Sequence, residues 1–84
     1  MQYVYVLQSQ KDHDLYIGCT YDLKKRLVLH NAKKIASTKN RVPFKLIYYE
    51  ALIDQHDAFE REQYLKTGWG HHYIRKTLSN FFNR

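Results

Sequence analysis

Two stretches of the chain place polar groups where apolar side chains should pack. In "LKKRLVLHN" (23–31), Arg26 and His30 stand one helical turn apart, and in "AFEREQYLK" (58–66), Glu62 and Lys66 do the same. At about 100° per residue, Leu23 and Leu27 mark the buried stripe of the first segment. His30 then falls about 20° from Leu23 and Arg26 about 60° from it, while Lys24 and Lys25 point outward. In the second segment Ala58, Phe59 and Leu65 mark the apolar face, and Glu62 lies among them. A carboxylate there is costly unless a cation or metal pairs with it. Tyr5 and Tyr16 stand in β-rich runs upstream. Together these residues put a carboxylate, a guanidinium, an imidazole and two phenols around one groove. That set suits cleavage of a phosphodiester. Carboxylate oxygen is a proper ligand for Mg²⁺ or Mn²⁺, arginine offers a fork to the non-bridging oxygens, and the attacking water needs a base.

Each group also has an ordinary explanation. Glu62 with Lys66 makes an i,i+4 ion pair worth about 0.2–0.5 kcal/mol. Arg26 can lie on the surface with its stem over Leu23. His30 can serve the end of a helix, where the dipole favours a cation. Tyr5 and Tyr16 are two among eight tyrosines. Cys19 has no evident base nearby and reads as structural. His71 and His72 are adjacent, so on a helix they diverge by about 100° and do not easily share a metal. "GWG" at 68–70 is too short for a phosphate-binding loop and reads as a helix break.

Charge gives the groove a partner. The chain has 84 residues and a net charge of +6. Between Lys24 and Lys45 lie eight basic residues and no acid (Lys24, Lys25, Arg26, Lys33, Lys34, Lys39, Arg41 and Lys45), whereas Glu50 to Glu62 holds five acids and one base. A basic tract beside an acidic segment suggests a polyanion, with a solvated basic surface as the plainer alternative. With 44% apolar and 15% aromatic residues, disorder is not expected. No apolar run approaches the roughly 18 residues of a membrane span. "MQYVYVLQSQKD" lacks the charged start of a signal peptide, so a cytoplasmic protein without membrane contact is expected.

The elements that must position these groups follow from patterning. Tyr3–Leu7 and Leu15–Gly18 read as two short strands joined by polar residues. Asp22 caps a helix of about nine residues that Asn31 stops. A basic loop spans 31–43, and loops of that length are often functional. Phe44–Leu52 is a third strand. Asp54 opens a helix reaching about Thr67 and stopping at Gly68, and a last helix is expected from about His71 to Asn80. The order β-β-α-β-α-α makes one α/β (α+β) domain over residues 1–84.

These residues resemble the GIY-YIG nuclease family. Tyr16-Ile17-Gly18 matches the second half of its signature, and Tyr3-Val4-Tyr5 stands where Gly-Ile-Tyr would. "DLKKRLVLHN" resembles the family's helix with Arg26, His30 and Asn31, and "AFEREQYLK" its glutamate helix. The likeness covers about residues 3–80 and is nearest to small stand-alone bacterial members. It implies a three-stranded antiparallel sheet flanked by helices and one-metal hydrolysis of DNA, with DNA repair or processing as a setting. Carried over, Glu62 would hold Mg²⁺ or Mn²⁺, Arg26 would bind the scissile phosphate, Tyr5 would act as base assisted by His30, and Tyr16 would orient water or phosphate. Lys66 and the loop cations would contact the DNA backbone. Two alternatives stay open: a nucleic-acid-binding module without turnover, and a protein-interaction domain using its tyrosines. A recruiting protein for so small a domain would be unknown.

Overall fold

A strand buried on both sides organises the structure, a computed structural model that describes residues 1–84. β1 (Gln2–Ser9) is the centre of a three-stranded antiparallel sheet, flanked by β2 (Leu15–Thr20) and β3 (Phe44–Leu52) in the order β2-β1-β3. Both outer strands pair with β1 along nearly its whole length, so β1 and β2 are longer than the apolar runs suggest. Val4 to Leu7 are all buried, which fits a continuous rather than alternating apolar run in the middle of a covered sheet.

The two faces carry separate cores. Val4, Val6 and Ile17 face α2 (Gln55–Leu65) and α3 (Gly68–Thr77), packing with Ala58, Leu65 and Ile74. Tyr5, Leu7 and Phe44 face the other way, toward α1 (Leu23–Asn31), and meet Leu23 and Leu27. A register shift in β3 opposite Val6 and Leu7 lets Tyr48 face the first layer and Leu46 the second.

The helix starts come from side-chain caps. Asp22 accepts from the N–H of Lys25, and Asp54 from those of His56 and Asp57. At the end of α1, Asn31 donates to the carbonyl of Phe44 and accepts from its N–H, tying the helix to the first residue of β3.

The last part of the chain departs from its sequence pattern. α2 ends at Leu65 instead of about Thr67, because Thr67 caps the next helix: its hydroxyl accepts from the N–H of Gly70. "GWG" is therefore the first turn of α3 and not a break. Gly70 is buried against α2, and a Cβ there would run into the carbonyl oxygen of Tyr64 and the backbone of Leu65. α3 closes at Thr77, and a further turn, α4 (Ser79–Phe82), follows in place of one helix to Asn80. Phe59 is another correction: it is exposed, lying about 100° from Ala58, while Ala58 and Leu65 form the buried stripe.

Candidate functional site

Tyr5 points from the central strand toward the edge of the sheet. Its partner in β2 is Gly18, and a Cβ on Gly18 would overlap the Tyr5 hydroxyl and ring. The missing side chain is what lets the phenol lie across β2. There the hydroxyl is 2.9 Å from Nε2 of His30 in α1, and Nδ1 of His30 is 2.7 Å from Oγ1 of Thr38. All three side chains are buried. Tyr16 and Phe44 complete a box around the imidazole, with ring centres 5.1 and 5.9 Å from it. His30 is thus deeper than a groove-bordering position.

Burial raises the Tyr5 phenol above its ordinary value, and the Arg26 guanidinium beside it works in the opposite direction. Burial also lowers His30, reinforced by repulsion from Arg26, and both favour the neutral imidazole. Arg26 is half-buried, and its Nε is the one buried side-chain polar atom without a partner. It lines a cleft of about 380 Å³ with Cys19, Thr20, Tyr21, Gln55 and Phe59.

Glu62 comes from the opposite layer. α1 lies on one face of the sheet and α2 on the other, and the Glu62 carboxylate is near enough to raise both Tyr5 and, after burial itself, the Cys19 thiol. Its neighbours are weak ones, the Lys66 ammonium at 3.6 Å and the Gln63 amide at 3.3 Å. The ion pair foreseen from sequence is present, but Lys66 is largely exposed while Glu62 is mostly covered. Tyr5 and Arg26 therefore adjoin at the β2 edge, with His30 behind Tyr5 and Tyr16 edge-on to His30, while Glu62 acts on Tyr5 from the opposite layer.

The basic residues divide. Lys24, Lys25, Lys33, Lys34 and Lys39 are exposed. Arg41 is engaged: it pairs with Asp12 through Nε at 2.8 Å, lies over the Phe44 ring, and its carbonyl accepts from the Ser9 hydroxyl at 2.6 Å. Thr38 is the residue that sequence reasoning missed. It lies in a lysine-rich loop without periodicity, and nothing in its spacing from His30 marks it.

The chain matches the model of the GIY-YIG catalytic domain over residues 1–76. It belongs to the GIY-YIG family. It is 43% identical over 67 residues to a UPF0213 protein of Clostridium perfringens, covering 79% of this chain and 71% of that one. It is 46% identical over 65 residues to a UPF0213 protein of Streptococcus pyogenes serotype M5, covering 76% and 70%. No solved structure matches the chain. The α+β fold with its antiparallel sheet is that of a GIY-YIG domain, a nuclease-type domain whose substrate class is nucleic acid. No helix is long and apolar enough to cross a membrane.

Proposed function

We propose that this chain is a metal-dependent endonuclease hydrolysing DNA phosphodiester bonds, with residues 1–84 acting as one GIY-YIG domain in the cytoplasm, in DNA repair or processing. The observation that carries this is the buried Nε–H of Arg26, which has no acceptor in the protein and whose guanidinium lies beside the Tyr5 phenol. Leaving a buried donor unpaired costs about 1–3 kcal/mol. Arg26 lines the cleft, and a phosphate entering it, with the side chain turning Nε outward, would supply the acceptor in the fork geometry that arginine offers.

Tyr5 takes a proton from the attacking water as its own passes to Nε2 of His30. A free phenol ionises only near pH of about 10, and burial raises Tyr5 further. The proton must therefore move onward instead of leaving a standing phenolate. Phosphate at Arg26 would offset the repulsion that helps keep His30 neutral, making Nε2 a better acceptor as substrate binds. Arg26 stabilises the charge developing on phosphorus oxygens, and Tyr16 orients water or phosphate. Lys24, Lys25, Lys33, Lys34, Lys39 and Lys66 contact the backbone, and Arg41, already paired, contributes least.

The donors fit a divalent ion in one form only. No group of three or more His, Cys, Asp or Glu side chains converges, so Glu62 would be the single protein ligand. Mg²⁺ tolerates this, since it commonly keeps several waters and takes other ligands from substrate phosphate. Held there, Mg²⁺ or Mn²⁺ would polarise the phosphate oxygens.

Cleavage of duplex, flapped, branched and single-stranded DNA with either metal tests the proposal. Wild type should cut at least one of these, and Glu62→Ala and Arg26→Ala should lose roughly a hundredfold or more. Equal cleavage by Glu62→Ala would remove Glu62 from its role. Salt-dependent binding without cleavage would select the binding-module alternative, which the single carboxylate favours.

A further inference from the structure

We propose that Thr38 is a positioning residue that fixes the tautomer of His30 and so gives the Tyr5–His30 pair a direction. The assignment follows from counting hydrogens. The Thr38 hydroxyl has one proton, and Oγ1 lies 3.5 Å from the Ile35 carbonyl, which can only accept. The opposite choice, Oγ1–H donating to Nδ1, would make Nε2 the donor to Tyr5 and leave the buried phenol proton without an acceptor. With the hydroxyl proton directed to Ile35, every hydrogen has an acceptor and the 2.7 Å contact takes its proton from Nδ1. A neutral imidazole with Nδ1–H has a bare Nε2. The 2.9 Å contact to Tyr5 is then a bond in which the phenol donates to Nε2. The chain runs one way, from Tyr5 through His30 and Thr38 to a backbone carbonyl.

The loop holding Thr38 is pinned for this purpose. Thr38 N–H donates to Ile35 at 3.1 Å, and Arg41 N–H donates to the Thr38 carbonyl at 2.9 Å. Beyond that, Ser9 and Asp12 hold Arg41. Thr38 is fully buried and has no route to the DNA that its lysine neighbours face. With the opposite tautomer, Nε2–H would point at Tyr5, the phenol would have to accept, and it could no longer hand its proton onward when water is deprotonated.

The catalytic consequence rests on the nuclease proposal above, whereas the tautomer does not. Long-range ¹H–¹⁵N NMR of the His30 ring in wild type, Thr38→Val and Thr38→Ser separates the two. Wild type should show a protonated Nδ1 and an unprotonated Nε2. Thr38→Val should move His30 toward the other tautomer or a mixture, and Thr38→Ser should restore the wild-type pattern. An Nε2–H tautomer in wild type, or an unchanged spectrum in a folded Thr38→Val, overturns the proposal. If Thr38→Val does not fold, the wild-type and Thr38→Ser spectra decide alone. In the cleavage assay, Thr38→Val should lower kcat about tenfold or more with KM unchanged, and Thr38→Ser should recover it. Absence of cleavage by wild type would sink the nuclease proposal and leave the NMR result standing.

Discussion

Position 18 has no side chain, and the reach of Tyr5 depends on that. Gly18→Ala would force a methyl group into the phenol ring, displacing Tyr5 from His30 or separating β1 from β2. Overpacking of this kind costs about 1–3 kcal/mol. Denaturant unfolding should show that loss, and an unaltered midpoint would mean the ring moves freely aside. At this scale the sequence was partly legible. Arg26, His30 and Glu62 stand out because polar groups interrupt apolar periodicity, and that signal is local. The contact between Tyr5 and Gly18 is a matter of strand register, and Thr38 meets His30 only through the path of a turn-rich loop. Neither leaves a period in the chain.

Strands, α1 and the start of α2 were readable because their start signals coincide with actual caps, Asp22 and Asp54. α1 does end at Asn31, but Ala32 is its C-cap and the Asn31 side chain binds Phe44 instead. The region from Thr67 onward misled because glycine has two meanings. Gly70 permits close approach of two helices, and only tertiary packing distinguishes that from a break. α2, which carries Glu62, is held to β3 by Arg61, whose Nε and Nη2 donate to both oxygens of Glu50 at 2.8 and 2.9 Å. The Arg61 guanidinium, with help from the Tyr48 hydroxyl, holds the Glu50 carboxyl below its ordinary range. The folded state therefore binds fewer protons there than the unfolded chain. The contribution is complete above the unfolded carboxyl value of about 4.3 and disappears as pH falls through the lower folded value. Glu50→Gln should be less stable than wild type by about 1 kcal/mol near neutrality, with the difference shrinking below pH of about 4. A difference that stays constant on acidification would show that the ion pair is not its source.

Under the proposed function, the whole molecule divides its positive charge between exposed lysines free for phosphate and an arginine tied into the fold. Each exposed lysine that meets a DNA phosphate should contribute about 0.9 to the slope of log K against log salt concentration. Lys25→Ala or Lys34→Ala should lessen that slope without changing the unfolding midpoint. Arg41→Ala should do the reverse, because its guanidinium is spent on Asp12 and Phe44. Fluorescence anisotropy with a labelled duplex across a salt series, beside thermal melts, reads both quantities. A reduced slope for Arg41→Ala with unchanged melting would return Arg41 to the DNA-facing set. The candidate site also spans both layers, with His30 and Arg26 from one face of the sheet and Glu62 from the other, so neither half of the chain carries it alone.

The link from Asn31 to Phe44 has a consequence beyond the end of a helix. β3 is an outer strand, and the outer strand of any sheet offers unpaired peptide groups on which a foreign extended segment can add. The carboxamide of Asn31 supplies one acceptor and one donor to the same residue, imitating the peptide unit of a neighbouring strand. An incoming segment finds the first hydrogen-bonding position of β3 already occupied and has no place there to begin a ladder. The last residue of α1 also keeps the sheet from growing at that end.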